Sequence, residues 1–158
     1  MMMTLTTSRA PASLRGWADG ALRLLGRFPL SLLQLVFRLS VASLFFKSGY
    51  SKTLSWDTTI LLFANEYRVP VLSPELGATL SASFELGCSA LIALGLLTRL
   101  ATLPLLGMVF VIQTFVYPEN WAEHLTWAAM LIFLLTRGPG AISLDHLLTK
   151  QFLGKKDR

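Results

Sequence analysis

Two oppositely charged residues lie inside apolar segments of this sequence. Arg38 interrupts the run LLQLVFRLSVASLFF, and Glu85 interrupts a stretch of apolar and small residues. A lone charge inside a bilayer costs at least a few kcal/mol, so each side chain is expected to face other helices and to have a partner. Counting residues from the predicted helix ends, at about 1.5 Å per residue, puts both near the membrane midplane. The sequence therefore predicts an intramembrane Arg38–Glu85 ion pair.

Two interpretations of this predicted pair are open. In the first, the pair is a structural clamp that fixes how two membrane helices meet, because polar contacts between helices favour their association. In the second, the charges form part of a site for a quinone, a proton or another substrate, because ionisable residues in a membrane often mark such sites.

Three further polar residues lie in the outer halves of three predicted spans: Lys47, Gln113 and His124. They are predicted to converge on one polar pocket below the outer surface. Each residue also has a simpler explanation. Lys47 can extend its ammonium group to the headgroups, Gln113 can bond to a neighbouring helix, and His124 can contact water.

Several kinds of chemistry find no support in the residue pattern. His124 and His146 are predicted on opposite sides of the membrane and the single cysteine, Cys88, lies apart from both, so no metal site is predicted. One cysteine also excludes an intrachain disulfide. Nucleophile motifs, phosphate loops and dinucleotide fingerprints are absent from the sequence. The residues leave open whether the chain is an enzyme; a catalytic role would be that of an oxidoreductase subunit.

Membrane-spanning helices are the elements that must position these residues. Of the 158 residues, 53% are hydrophobic and 15% are charged, and the mean hydropathy is +0.57. This composition is more apolar than that of a soluble domain. An all-α fold is predicted, an integral membrane four-helix bundle. Its spans are predicted at about 29–50, 74–96, 100–117 and 121–136, the last being shorter than the roughly 20 residues that cross a bilayer.

Two amphipathic segments are predicted beside the spans. Residues 1–28 carry four arginines and apolar residues at helical spacing, which is typical of a helix lying at the membrane interface. The segment Trp56–Tyr67 has apolar residues along one helical face, and it predicts a short interfacial helix in the first outer loop. The domain organisation is then an N-terminal segment at 1–28, a membrane domain at 29–147 and a basic tail at 148–158.

The distribution of lysine and arginine predicts the orientation. Four lie in residues 1–28, one is Arg99 in the turn after the second span, and five lie in residues 137–158. The other side of the membrane carries only Lys52 and Arg68. Because basic residues favour the cytoplasmic side, both termini are predicted to be cytoplasmic. Most basic residues crowd the termini without a nucleic-acid-binding motif, so nucleic acid is not a predicted partner.

The residues from Leu33 to Leu147 resemble the DoxX-like family of small four-helix membrane proteins. The resemblance is carried by RLSVASLFFKSGYSK from Arg38, by YRVP at Tyr67, by GLLTRLA from Gly95 and by RGPGAISLD from Arg137. It implies a helical bundle with an arginine in the first span and a glutamate in the second, and Arg38 and Glu85 match these positions. Three other recurring positions are matched by Lys52, Arg99 and Asp145.

The family resemblance suggests functions that the residues alone do not. Some members are similar to a membrane subunit of thiosulfate–quinone oxidoreductases, and others accompany superoxide dismutase and a sulfurtransferase. The stretch VYPENWAEHLTWAAMLIFLLTRGPGAISLDHLL more closely resembles family members found beside peptide-modifying iron enzymes in metal-stress systems. The first hypothesis is an accessory component of a redox or metal-stress system in the bacterial inner membrane.

Two alternatives are kept beside it, a quinone-reactive oxidoreductase subunit and a small transporter acting as an oligomer. The partners implied are the lipid bilayer, a redox or peptide-modifying protein, and a second copy of the chain. Quinone is the candidate ligand.

Overall fold

A computed structural model describes residues 12–153, and all of its regular elements are helical. The described residues do not include 1–11, where Arg9 lies, or 154–158, the end of the basic tail. The helices are α1 (Ala12–Gly26), α2 (Leu30–Leu54), α3 (Trp56–Leu62), α4 (Pro74–Leu94), α5 (Thr98–Val111), α6 (Trp121–Arg137) and α7 (Leu144–Leu153). This confirms the predicted all-α fold.

Two of these helices continue into wider turns. α3 is followed by a π-helical segment, Phe63–Tyr67, and α5 by a second one, Ile112–Val116. A 3-10 turn, Pro118–Asn120, then leads into α6. The helix predicted over Trp56–Tyr67 is therefore confirmed, although its last turn is π-helical. The amphipathic N-terminal helix is confirmed over Ala12–Gly26.

Four helices, α2, α4, α5 and α6, pack together as the bundle. α2 packs chiefly on α4, α5 packs on α4 and α6, and α6 closes the bundle against α2. Side chains from all four meet in the core, including Phe45, Ile92, Leu105 and Leu131. The outer faces of the same helices expose large apolar residues, among them Phe110 at 68%. A bundle that is apolar on the outside suits a lipid environment.

The helices alternate in direction, so the bundle has two distinct ends. At one end Gln34 of α2 donates hydrogen bonds of 3.2 Å to the carbonyl oxygens of Arg137 and Gly138, where α6 ends. The turn between α4 and α5 lies at this end too, because the Leu97 N–H donates to Asp145. We call this the Arg38 end. The Tyr117 end is opposite, where α2 and α5 finish and α4 and α6 begin.

Three helices are long and apolar enough to cross a membrane: α2, α4 and α5 with its π-helical extension to Val116. α6 has 17 residues and is shorter. It nevertheless runs from the Tyr117 end to the Arg38 end, beside the other three. The fourth span therefore stays a prediction, and so do the domain boundaries.

The observed helix ends differ from the predicted ones for local reasons. α2 continues to Leu54, four residues beyond the predicted end, because no glycine or proline follows Tyr50 before Ser55. α4 ends at Leu94, since Gly95 adopts a left-handed φ of 69°. α7 was not predicted, although the Ser143 hydroxyl accepts a hydrogen bond from the His146 N–H in the manner of a helix N-cap.

The contact between α2 and α4 depends on Gly49. A Cβ at this position would lie 2.8 Å from the Glu85 Cβ and 3.1 Å from the Leu86 backbone nitrogen. We expect Gly49→Ala to push the helices apart and to lower the free energy of unfolding by about 1–3 kcal/mol. Gly87→Ala on α4 is the matched control, because its Cβ would meet nothing within 4 Å. The control should be neutral or stabilising by up to about 1 kcal/mol. Thermal unfolding in mild detergent measures both, and equal effects would contradict this close contact.

The orientation stays a prediction, and reporter fusions test it. A reporter that is active only outside the cytoplasm should give signal when fused within residues 51–73 or 117–120, and none after Arg99 or Arg158. This follows from the excess of basic residues at the Arg38 end. Signal at the C-terminus would contradict the four-span arrangement and identify α6 as the helix that does not cross.

Candidate functional site

A cavity of about 740 Å³ opens between α2, α4, α5 and α6 in the half of the bundle nearer the Tyr117 end. Its volume lies in the range of roughly 300–1,000 Å³ that is usual for small-molecule sites. Most of its wall is apolar, with Leu44, Phe45, Phe84, Met108 and Trp127 among the contributors. Its polar lining residues are Ser48, Lys52, Tyr67, Ser81, Glu85, Tyr117, Asn120, Glu123 and His124.

An ion pair between Lys52 and Glu85 lies in the wall of this cavity. The Lys52 Nζ is 2.8 Å from Glu85 Oε2 and 3.0 Å from Oε1. Ser48, one turn before Lys52 on α2, accepts a hydrogen bond of 2.9 Å from the ammonium group and donates one of 3.2 Å to Glu85 Oε1. The side chain of Lys52 is 15% exposed and that of Glu85 4%, so Lys52 is the more accessible member of the pair.

The predicted Arg38–Glu85 pair is wrong, because the two residues lie at different heights in the bundle. The Glu85 Cβ lies beside Gly49, eleven residues and about 16 Å further along α2 than Arg38. The counting error has a structural cause. α4 begins beside the segment that follows α3, because Gly77 packs against the Phe63 ring. Glu85, eleven residues after the start of α4, therefore lies level with the last turns of α2 and not with its middle.

Arg38 instead binds backbone carbonyl oxygens at its own end of the bundle. Its Nε donates to Ile92 O at 2.9 Å and its Nη2 to Ala93 O at 2.5 Å, both in the last turn of α4. Its Nη1 donates to the carbonyl oxygens of Pro139 and Ile142 in the loop after α6. The guanidinium group thus joins α2, α4 and this loop. Its contacts are those of a structural clamp.

The predicted polar pocket is formed by two of its three residues. His124 Nδ1 lies 2.8 Å from Gln113 Oε1, so α5 and α6 bring these side chains together. Lys47 does not join them. It is exposed on the outer surface of α2 and does not line the cavity, whereas Lys52, a turn and a half later, does.

The other residues matched by family resemblance lie far from the cavity. The Asp145 carboxylate accepts hydrogen bonds from the N–H groups of Leu97 (2.8 Å) and Thr98 (3.2 Å), and it thereby caps the start of α5. Arg99 Nη2 donates a bond of 3.4 Å to Thr136 O near the end of α6. Both residues hold the Arg38 end together, so of the three only Lys52 belongs to the cavity.

Two tyrosines at the Tyr117 end were missed by sequence reasoning. Tyr117 donates a hydrogen bond to Glu66, and the rings of Tyr67 and Tyr117 meet edge to face with centroids 6.0 Å apart. Burial, and then the charge of Glu66, raises the pKa of Tyr67, so its hydroxyl stays protonated and able to donate at neutral pH. These contacts join the two π-helical segments above the cavity. Such segments are frequent at functional sites, and that is the signal that marks this region.

The described part of the chain, residues 12–153, contains no group of three or more His, Cys, Asp or Glu side chains placed to hold a metal ion. Cys88 is buried in the core.

Comparison with known proteins gives one match. The profile of the DoxX family matches residues 33–118, which include most of α2 and all of α3, α4 and α5, with Arg38, Lys52 and Glu85. No curated protein and no solved structure matches the chain.

Proposed function

This chain belongs to the DoxX family, and from the cavity that its helices form we propose that it is a membrane component that binds a quinone and works with a separate redox partner. The observation that carries this proposal is the pairing of an apolar cavity with a buried ion pair, Lys52–Glu85, in its wall.

The chemistry of a quinone matches this lining. A quinone has a flat apolar ring, usually an apolar tail, and carbonyl oxygens that only accept hydrogen bonds. The apolar walls suit the ring and tail. The three N–H donors of the Lys52 ammonium group face Ser48 and Glu85, and one of them can turn to a carbonyl oxygen of the ligand to form a charge-assisted hydrogen bond. Glu85 pairs with Lys52 and balances its charge, which lowers the free-energy cost of a cation among apolar side chains.

The route into the cavity also favours a lipid-soluble ligand. Leu80 and Phe84 of α4 line the cavity and are 36% and 38% exposed, and Gly107 of α5 both lines it and is exposed. The cavity wall therefore reaches the outer, apolar surface of two helices that are suited to cross the membrane. A quinone dissolved in the bilayer would enter there without passing through water.

A separate redox partner follows from the composition of the chain. The single cysteine, Cys88, has no second thiol with which to form a dithiol couple. The electrons that reduce or oxidise the bound quinone therefore belong to the partner in this proposal. The accessory role in a metal-stress system and the oligomeric transporter stay predictions from sequence, and the cavity favours the quinone-binding role over both.

Extraction and binding test the proposal together. Protein purified in lipid nanodiscs should retain quinone, and a quinone with a ten-carbon tail should quench tryptophan emission on binding, because Trp127 lines the cavity. The double variant Lys52→Met, Glu85→Leu should bind about tenfold to a hundredfold more weakly, as expected for losing one charged hydrogen bond. Lys47→Met is the control, since it removes a lysine from the same helix outside the cavity. Unchanged affinity in the double variant, or no quinone binding by the wild type, would overturn the proposal.

A further inference from the structure

His124 lies between two open spaces. It lines the central cavity, and it also lines a smaller groove of about 460 Å³ between α5 and α6. The residue is only 3% exposed, and its ring packs beside that of Trp127 with centroids 5.1 Å apart. A buried imidazole is thus placed at the surface of a ligand-sized space.

The hydrogen bonds around His124 decide which ring nitrogen carries the proton. Gln113 Nε2 donates to Pro118 O at 2.8 Å, and a carbonyl oxygen can only accept. The Gln113 amide oxygen must therefore face His124 Nδ1, which lies 2.8 Å away. Since that oxygen is also only an acceptor, Nδ1 carries the hydrogen. In the neutral ring, Nε2 then has a free lone pair and accepts hydrogen bonds.

This Nε2 atom is available to a ligand. No residue between 12 and 153 forms a hydrogen bond with it. Among the described residues, the Thr98 hydroxyl is the one side-chain polar atom that is both fully enclosed and without a hydrogen-bond partner. Because Nε2 also lacks a partner, it is not fully enclosed. The nitrogen is therefore accessible from one of the two spaces that His124 lines, and it is an acceptor rather than a donor. Gln113, which binds Nδ1, lines the smaller groove and not the central cavity, so we assign Nε2 to the central cavity.

We propose that His124 Nε2 accepts a hydrogen bond from a ligand hydroxyl in the central cavity, so that the site prefers the reduced quinol to the oxidised quinone. This inference rests on the proposed quinone-binding function. A quinol hydroxyl donates to the Nε2 lone pair, whereas a quinone carbonyl oxygen brings a second lone pair toward it. Lys52 can donate to an oxygen of either form, and more strongly to a quinone carbonyl oxygen, so it is not the source of a preference for quinol. His124 is the residue that distinguishes the reduced ligand from the oxidised one.

Competition between the two forms of one ligand tests the proposal. The ten-carbon-tailed quinone and its quinol are titrated under argon into wild-type protein in nanodiscs. The wild type should prefer quinol by about threefold to tenfold, as expected for one hydrogen bond. His124→Leu should abolish the preference for quinol. His124→Gln, whose amide oxygen also accepts, should restore part of the preference, and a thermal melt of each variant confirms that it is folded.

The outcomes separate this proposal from the one on which it rests. Binding of both forms with the same preference in the wild type and in folded His124→Leu overturns the role of His124 and leaves quinone binding intact. Equal affinity of the wild type for both forms does the same. Failure of the wild type to bind either form overturns both proposals.

Discussion

Glu85→Leu alone should destabilise the protein far more than Glu85→Leu combined with Lys52→Met. Each single change leaves one charge buried without its partner, at 15% exposure or less. Removing one member of a buried pair typically costs about 3–5 kcal/mol, whereas an apolar pair of similar volume can be nearly neutral. Thermal unfolding in mild detergent should therefore show two strongly destabilised single variants and a double variant that recovers much of the loss.

A second cycle is the control for this prediction. Arg38→Met combined with Glu85→Leu should give effects that add to within about 0.5 kcal/mol, because the two side chains have separate partners. Coupling between Arg38 and Glu85, together with additivity between Lys52 and Glu85, would contradict the arrangement described above. It would restore the pair predicted from the sequence.

The helices were predictable because long apolar runs specify them. The boundaries of α4 at Pro74 and the short helix at Trp56 were also predictable, since proline and one-sided apolar spacing are local signals. The partner of Glu85 was not predictable in this way. It depends on how far α4 is displaced along α2, and that displacement is fixed by the contact of Gly77 with Phe63 and by the close approach at Gly49. Neither contact is local in sequence.

Helical phase, however, contained a usable signal that separates Lys47 from Lys52. At about 100° per residue, Lys52 falls within about 40° of Arg38 around α2, and Lys47 falls about 180° away. If Arg38 faces the bundle, Lys52 does so as well and Lys47 faces outward, as the structure has them. The depth of a charge in the membrane gives its height in the bundle but not the side of the helix on which it lies. Gln113 and His124 do lie in contact, as their predicted depths suggested. The proton placement on which the proposed role of His124 rests depends on Pro118 O, a backbone group that no residue pattern reveals.

Replacing Arg38 should be the other change with a large effect, and its damage should be confined to one end of the bundle. Four carbonyl oxygens on two separate segments accept hydrogen bonds from this guanidinium group, namely those of Ile92, Ala93, Pro139 and Ile142. Leaving a buried acceptor without a donor costs about 1–3 kcal/mol. Arg38→Met is therefore expected to lower the free energy of unfolding by on the order of 3–5 kcal/mol, given partial relaxation of the loop.

Arg38→Lys separates charge from geometry in the same experiment. Lysine keeps the positive charge, which the end of α4 and Asp145 both attract. It has no planar fork with which to reach α4 and the loop after α6 together, so it should recover less than half of the loss. Hydrogen exchange should rise in residues 137–145 and around Gly95, where the guanidinium carbon lies close to the backbone. The backbone amide of Tyr117, which donates to Ile112 O, should stay protected. Lys47→Met on the same helix should change neither measurement. Full recovery by lysine, or exchange that rises equally at the Tyr117 end, would contradict this prediction. The charge of Arg38 would then stabilise the whole bundle, and the hydrogen bonds of its planar guanidinium group would not hold the three segments together.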